Sequence, residues 1–252
     1  MKDGCYSTKE IADLAGVHAN TVRYYEEIGF LTKPRRLGNG YRVYTALQLA
    51  QCRLIRVAMR AEILQNGLRA KAVELVRLCA ALDFDGSLRA VDEYRAMLER
   101  EMRSARAAAA YVEEKLETQS AETTVCMKRR DAANALHVTA ETLRTWERSG
   151  LIEIQRKENG YRVYTSADME RLNMIRTLRM ARYSLSAILR LFNRLNRRGS
   201  GSVSSLLNTP CGEDEIISAC DRLLLSLESA ASDARWLREA VEKMKADFST
   251  IQ

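Results

Sequence analysis

Arg23 and Tyr24 stand one turn into a short amphipathic stretch, and Lys33, Arg35, Arg36 and Arg42 follow it. Guanidinium forks and phenolic hydroxyls donate hydrogen bonds. Their natural targets are phosphate oxygens and the edges of bases. Arg23 is placed to meet a guanine edge or a phosphate, and Tyr24 and the later arginines to hold phosphates. The set recurs further along as Arg144, Arg156, Lys157 and Arg162.

The rest of the composition narrows the function classes. The two histidines, His18 and His137, lie in matching turns with no nucleophile or metal motif around them, which argues against an enzyme. Six cysteines show no CxxC pair, so they read as reduced thiols rather than a disulfide framework. No apolar run approaches a membrane span, and MKDGCYSTKE lacks a signal-peptide core, so a cytoplasmic location and no membrane partner are expected. The formal net charge of +7 and a pI near 9.2 suit a polyanionic partner. Two prolines in 252 residues, with abundant Ala, Leu, Arg and Glu, predict a mainly helical chain of two domains.

The residues that position the basic side chains come twice. NGYRVYT occurs at 39–45 and again at 159–165. Upstream, Thr21-Val22-Arg23-Tyr24-Tyr25-Glu26 answers Thr142-Leu143-Arg144-Thr145-Trp146-Glu147 at an offset of 121, and Gly29 answers Gly150. From Asn39 onward the offset is 120, so one residue has been lost between the blocks, as happens in surface loops. A period this long means two domains of one kind rather than a solenoid.

In the first copy, Ser7-Thr8-Lys9-Glu10 has the form of a capping box and opens a helix ending at Ala15. Gly16 permits a sharp turn, and His18–Ile28 makes a second short helix whose outward face carries Asn20, Arg23 and Tyr24. Gly29 closes it. Phe30–Leu37, Gly38-Asn39-Gly40 and Tyr41–Tyr44 read as a β-hairpin. Alternation puts Val43 on one face and Arg42 with Tyr44 on the other, although the aromatic Tyr44, Tyr164, Tyr25 and Trp146 are also good core residues. A hairpin after a helix-turn-helix is a winged helix. Two further helices follow in each copy, at 46–60 and 67–80, and at 166–181 and 184–197.

Thr-Val-Arg-Tyr-Tyr-Glu, the Gly29-Phe30-Leu31 helix exit and the Gly40-Tyr41-Arg42-Val43-Tyr44 wing resemble the DNA-binding domain of the MerR family of bacterial transcription regulators. The second copy is similar at Leu143-Arg144, Gly150-Leu151-Ile152 and Gly160-Tyr161-Arg162-Val163-Tyr164, and in the helices from Asp168 to Ile188. The resemblance implies promoter DNA as partner, with RNA polymerase engaged through DNA that the regulator bends and untwists. It implies DNA-binding roles for Asn20, Thr21, Arg23, Tyr24, Lys33, Arg35, Arg36 and Arg42, and for Thr142, Arg144, Thr145, Arg156, Lys157 and Arg162. The second copy departs from the pattern: Thr145 replaces a tyrosine, and Glu141 stands where the first copy has Asn20. The helix after the first wing ends in Ala61-Glu62-Ile63-Leu64 instead of the family's Gly-Phe-Ser-Leu. The two copies are therefore expected to read different half-sites.

Two long helices link and follow the copies. Leu88, Val91, Arg95, Leu98, Met102, Ala105, Ala109, Val112 and Leu116 form a seam at spacings of three and four, and Ile217, Cys220, Leu224, Leu227, Ala231, Ala234, Arg238 and Val241 form a second. In the MerR family such helices pair antiparallel between subunits. A helix over Ser87–Glu117 is roughly 46 Å long at about 1.5 Å per residue, enough to carry the chain to where a partner's domain would sit. The expected fold is mainly α: two winged helix-turn-helix domains, each with a small β-hairpin wing, and two long helices in an antiparallel coiled coil. The expected segments are 1–82, 83–120, 121–200 and 201–252. One chain then builds both halves of a family dimer as a monomeric pseudo-dimer; the alternative is a homodimer with four modules.

No cofactor is evident and the effector is unknown. Metal-sensing relatives place cysteines at the ends of these helices, which makes Cys126, Cys211 and Cys220 a candidate thiol cluster, against the simpler reading of unrelated thiols. Besides a transcription regulator, an architectural or recombination-accessory DNA-bending protein and a ligand-sequestering helical protein are the other function classes.

Overall fold

Ser7 opens the first helix with both halves of a capping box. Its hydroxyl accepts from the Glu10 N–H, and its own N–H donates to the Glu10 carboxylate. In the computed structural model, which describes residues 5–60, 67–117, 127–155, 162–196, 203–208 and 223–249, this cap starts α1 (Thr8–Ala15). Gly16 ends it in the left-handed conformation, φ 67°. The chain divides into two units, one formed by 1–100 with 228–252 and the other by 101–227.

In the first unit, α2 (Ala19–Glu27) follows the Gly16 turn, with His18 as N-cap accepting from the Asn20 N–H. β1 (Arg35–Arg36) and β2 (Arg42–Val43) make the antiparallel wing, Arg35 opposite Val43 and Arg36 opposite Arg42. The Leu37 N–H closes the turn on the Tyr41 carbonyl at 2.9 Å. Tyr44 is fully buried, as suits an aromatic core residue, and so parts from Arg42 although alternation puts the two on one face. The ladder ends at Val43, and Tyr44 instead exchanges both backbone hydrogen bonds with Tyr6, at 2.7 and 2.9 Å, which turns its ring into the core.

Two helices, α3 (Ala46–Ala58) and α4 (Leu68–Ala80), complete the module. Gln51 is buried between them and fully used: it accepts from the Thr32 N–H and donates to Thr32 Oγ1 and the Cys79 carbonyl. That network ties the exit from α2 to the end of α4 without leaving a buried polar group orphaned.

A long helix, α5 (Phe84–Glu117), starts one turn earlier than the sequence suggests. Asp83 explains the extra turn. Its carboxylate accepts from the Gly86 N–H, and its carbonyl accepts from the fully buried Ser87 hydroxyl. The first part of α5 belongs to the first unit and the remainder to the second.

The last helix of the chain, α11 (Leu223–Phe248), lies in the first unit from Glu228 onward. Leu237, Val241 and Met244 join the same core as Ile11, Val22, Leu54, Ala90 and Val91. Lys245 pairs with Asp85 at 2.6 Å and Arg238 with Asp92 at 3.1 Å, so within this unit α11 runs antiparallel to α5. The seam differs in detail from the sequence reading. Tyr94 takes the buried place near Arg95, and Ala230 and Leu237 take those near Ala231 and Arg238. Arg95 and Arg238 lie at the rim, where the first pairs with Asp92 and the second with Asp92 and Glu242. Long basic side chains reach water from a seam's edge more cheaply than from its centre.

The second unit repeats the plan. It contains α6 (Arg129–Ala135), α7 (Ala140–Arg148), α8 (Ser166–Met180) and α9 (Leu185–Asn196). Met127 and Tyr164 exchange backbone hydrogen bonds as Tyr6 and Tyr44 do. Tyr183, fully buried, donates its hydroxyl to the Ala105 carbonyl on α5 at 3.3 Å. A short helix absent from the sequence reading, α10 (Val203–Asn208), packs on α9.

Candidate nucleic-acid interface

Both reading helices are built to leave one stripe bare. On α2, Val22 is buried while Asn20, Arg23, Tyr24 and Glu27 are exposed, at the i, i+3, i+4, i+7 spacing of one helix face. Tyr24 is 57% exposed, a large aromatic held in water next to a cation. Arg23 Nη1 donates to Asn20 Oδ1 at 2.9 Å, and Thr21 is half-buried beside the cap. Arg23 and Glu27 leave the stripe with no net charge.

On α7 the buried side is Leu143 and Trp146, and the exposed stripe is Glu141, Arg144 and Arg148. Glu141 holds both arginines: Oε2 accepts from Arg144 Nη1 at 2.9 Å and Oε1 from Arg148 Nη2 at 2.8 Å. The Thr145 hydroxyl is turned back to the Glu141 carbonyl at 3.0 Å. Thr142 sits beside the N-cap, its hydroxyl 2.8 Å from that of Thr139. Arg148, the counterpart of Glu27, escaped the sequence reading, although its seven-residue spacing from Glu141 marks the same face.

The wings carry the second set of cations. Lys33, Arg35 and Arg36 are exposed, and Tyr41 at the tip is 72% exposed. Arg42 is different. Its Nε donates to Glu26 Oε2 on α2 at 2.6 Å, with Glu26 only 15% exposed. That hydrogen bond is the largest cause of a raised Arg42 pKa. Arg36 reaches the other Glu26 oxygen at 3.7 Å. The second module repeats the arrangement. Arg162 Nε donates to Glu147 Oε1 at 2.6 Å, and Arg129 reaches Glu147 Oε2 at 3.5 Å. In both copies, then, the arginine of the repeated heptapeptide spends one donor on a glutamate of the helix before it. The sequence shows both partners in each copy but not that they meet, because the pair is formed across a turn and a strand. Arg156 and Lys157 lie outside the described residues.

The turn before each reading helix also matches. Gly16 (φ 67°) and His137 (φ 51°) occupy the same place, both left-handed. A Cβ on Gly16 would come within 2.4 Å of Arg56 Nη1, which donates to the Ala15 carbonyl. The candidate thiol cluster of Cys126, Cys211 and Cys220 lies outside the described residues. Among the described residues no group of three or more His, Cys, Asp or Glu side chains is placed to hold a metal ion, and no helix is long and apolar enough to cross a membrane.

Comparison with known proteins agrees with this duplicated plan. The MerR family regulatory protein profile matches residues 7–44, and the MerR HTH family regulatory protein profile matches residues 127–195. The HTH-type transcriptional regulator CueR of Escherichia coli O6:H1 is 41% identical over 49 residues, 19% of this chain and 36% of that protein. The mercuric resistance operon regulatory protein of Bacillus cereus is 47% identical over 36 residues, 14% of this chain and 27% of its own. The HTH-type transcriptional regulator ZntR of Escherichia coli K12 is 36% identical over 64 residues, 25% of this chain and 45% of its own. The chain thus spans less than half the length of these relatives. No solved structure matches it significantly. With one matched segment in each of its two units, the chain carries two MerR-type domains.

Proposed function

We propose that this protein is a DNA-binding transcriptional regulator that uses its two modules on one promoter as a single-chain pseudo-dimer. The observation that carries this reading is the doubled unit itself: a bare stripe on α2 and on α7, each helix bonded to the arginine of the repeated heptapeptide, by Arg42–Glu26 in one copy and Arg162–Glu147 in the other. Helices of this diameter fit the major groove, and wing cations fit the flanking phosphates. The antiparallel return of α11 along α5 in the first unit supports an intramolecular counterpart of the family's dimerisation helices. The covalent link then supplies the effective concentration that two subunits otherwise need.

Two rigid modules on one duplex can offset the few kcal/mol that bending and untwisting a promoter spacer costs. RNA polymerase is the further partner such a promoter implies, with either activation or repression as the outcome. The unlike stripes of α2 and α7 support an asymmetric operator.

Selection of bound duplexes from a random pool tests the reading, combined with sedimentation at low micromolar protein. The expected result is an enriched, asymmetric two-part site bound by one chain. A perfect palindrome bound by two chains would replace the pseudo-dimer with a homodimer, and no enrichment at all would remove the DNA-binding reading.

A further inference from the structure

We infer that Glu141 is a positioning residue of the second module: it braces Arg144 and Arg148 so that both read guanine, and does not itself read a base. This rests on the proposed DNA-binding function. Both carboxylate oxygens are already engaged, one with each arginine, at 2.9 and 2.8 Å. One acceptor site on each oxygen is thus taken before a cytosine amine, the base group a free glutamate would choose, could approach. The carboxylate also lowers the entropy the two long side chains lose on binding, because it holds them before DNA arrives.

All three groups are exposed, with Glu141 at 59%, Arg144 at 56% and Arg148 at 71%, so nothing in the protein core requires the triad. Each arginine spends one nitrogen on Glu141 and keeps the remaining donors of its fork. Arg144 and Arg148 are four residues apart, about 6 Å along the helix axis. Base steps of about 3.4 Å make that close to two steps. The second module is therefore assigned a half-site with guanines roughly two steps apart.

The first module lacks this device. Asn20 accepts from Arg23 alone, and Glu27 stands in place of Arg148. It is assigned one guanine from Arg23, and no second one at the position Arg148 would reach.

Duplex selection from a random pool tests this with the unsubstituted chain, Glu141→Gln, Arg148→Ala and Arg23→Ala, each shown by circular dichroism to unfold at the parent temperature. Arg23→Ala identifies which half-site belongs to the first module. The expected result is that Arg148→Ala loses one guanine of the second half-site. Glu141→Gln relaxes both guanines, by about tenfold, and leaves the first half-site unchanged. Unchanged guanine preference in Glu141→Gln would overturn the brace. Loss of a single cytosine preference in that variant would also overturn it, by making Glu141 a reader. Failure of the unsubstituted chain to enrich any duplex would instead remove the DNA-binding reading on which the brace depends.

Discussion

Arg42 Nε lies 2.6 Å from Glu26 Oε2, and Arg162 Nε lies 2.6 Å from Glu147 Oε1. The two ion pairs are the same contact made twice, between the arginine of the repeated heptapeptide and a glutamate on the helix before it. Removing the acid and removing the base should therefore have different consequences. Glu26→Gln leaves every cation in place but loosens the wing, so DNA affinity should fall while the salt dependence stays the same or steepens. Arg35→Ala removes an exposed cation and should flatten the salt slope by about 0.9. Binding isotherms at several salt concentrations separate the two. If Glu26→Gln flattens the slope as Arg35→Ala does, the wing is not held in the way described.

Tyr24 and Thr145 occupy equivalent positions with opposite engagements. The tyrosine side chain projects into water, whereas the threonine hydroxyl is bonded to the Glu141 carbonyl. Tyr24→Phe should weaken DNA binding about three- to tenfold, the usual net worth of a single exposed hydrogen bond at about 1 kcal/mol. Thr145→Ala should change affinity much less. Gel-shift titrations of the two variants check the asymmetry.

Leu237 on α11 is buried in the same core as Val91 on α5. Leu237→Ala should cost about 2–5 kcal/mol in denaturant unfolding, through lost transfer energy and a cavity. The adjacent rim residue gives a control: Glu239→Ala, at an exposed position, should change stability by less than about 0.5 kcal/mol. Equal effects would mean that α11 does not close this core.

Cys52 and Cys79 are buried, and burial pushes their thiols up to about 12 and about 11. Cys5 is exposed. Alkylation at pH 8 should label Cys5 and spare the buried pair until the protein unfolds. The pH dependence follows from the same burial. The folded state holds these protons more tightly than the unfolded chain, whose thiols titrate near 9. Stability is therefore complete below that value and falls as pH rises toward 11 and 12, by on the order of 1 kcal/mol per thiol at pH 10.5. Cys79→Ala should show a smaller fall between pH 8 and pH 10.5 in denaturant titrations.

Much of this architecture is written in local sequence. The Ser7–Glu10 capping box, the Gly16 turn and the wing before Ala46 all depend on residues within a few positions of one another, and each forms as local chemistry dictates. The exposed stripe of α2 follows from periodicity alone. Features that depend on distant neighbours were less legible. Tyr44 reads as alternating with Arg42 until Tyr6, far upstream, takes its backbone. Arg238 reads as a seam residue because three-and-four spacing tolerates a slip of one, which only the facing Asp92 resolves. Arg148 is marked only by its seven-residue spacing from Glu141, because the copies differ there and Glu27 stands at the matching position. The glutamates at 26 and 147 were visible as matched letters, yet their pairing with the wing needs three dimensions.

Arg56 resting over Gly16 makes the two turns unequal. Histidine fits the turn at 137, but at position 16 its Cβ would displace a guanidinium that holds the end of α1. Glycine moved into position 137 meets no such obstacle and also relieves a left-handed backbone at a residue with a side chain. Exchange between the copies is thus unequal: at 137 it removes a side chain from a left-handed residue, and at 16 it adds one there and makes the Arg56 side chain shift. Drift at this pair of positions therefore has a preferred direction, toward glycine, set by one packing contact and one backbone angle.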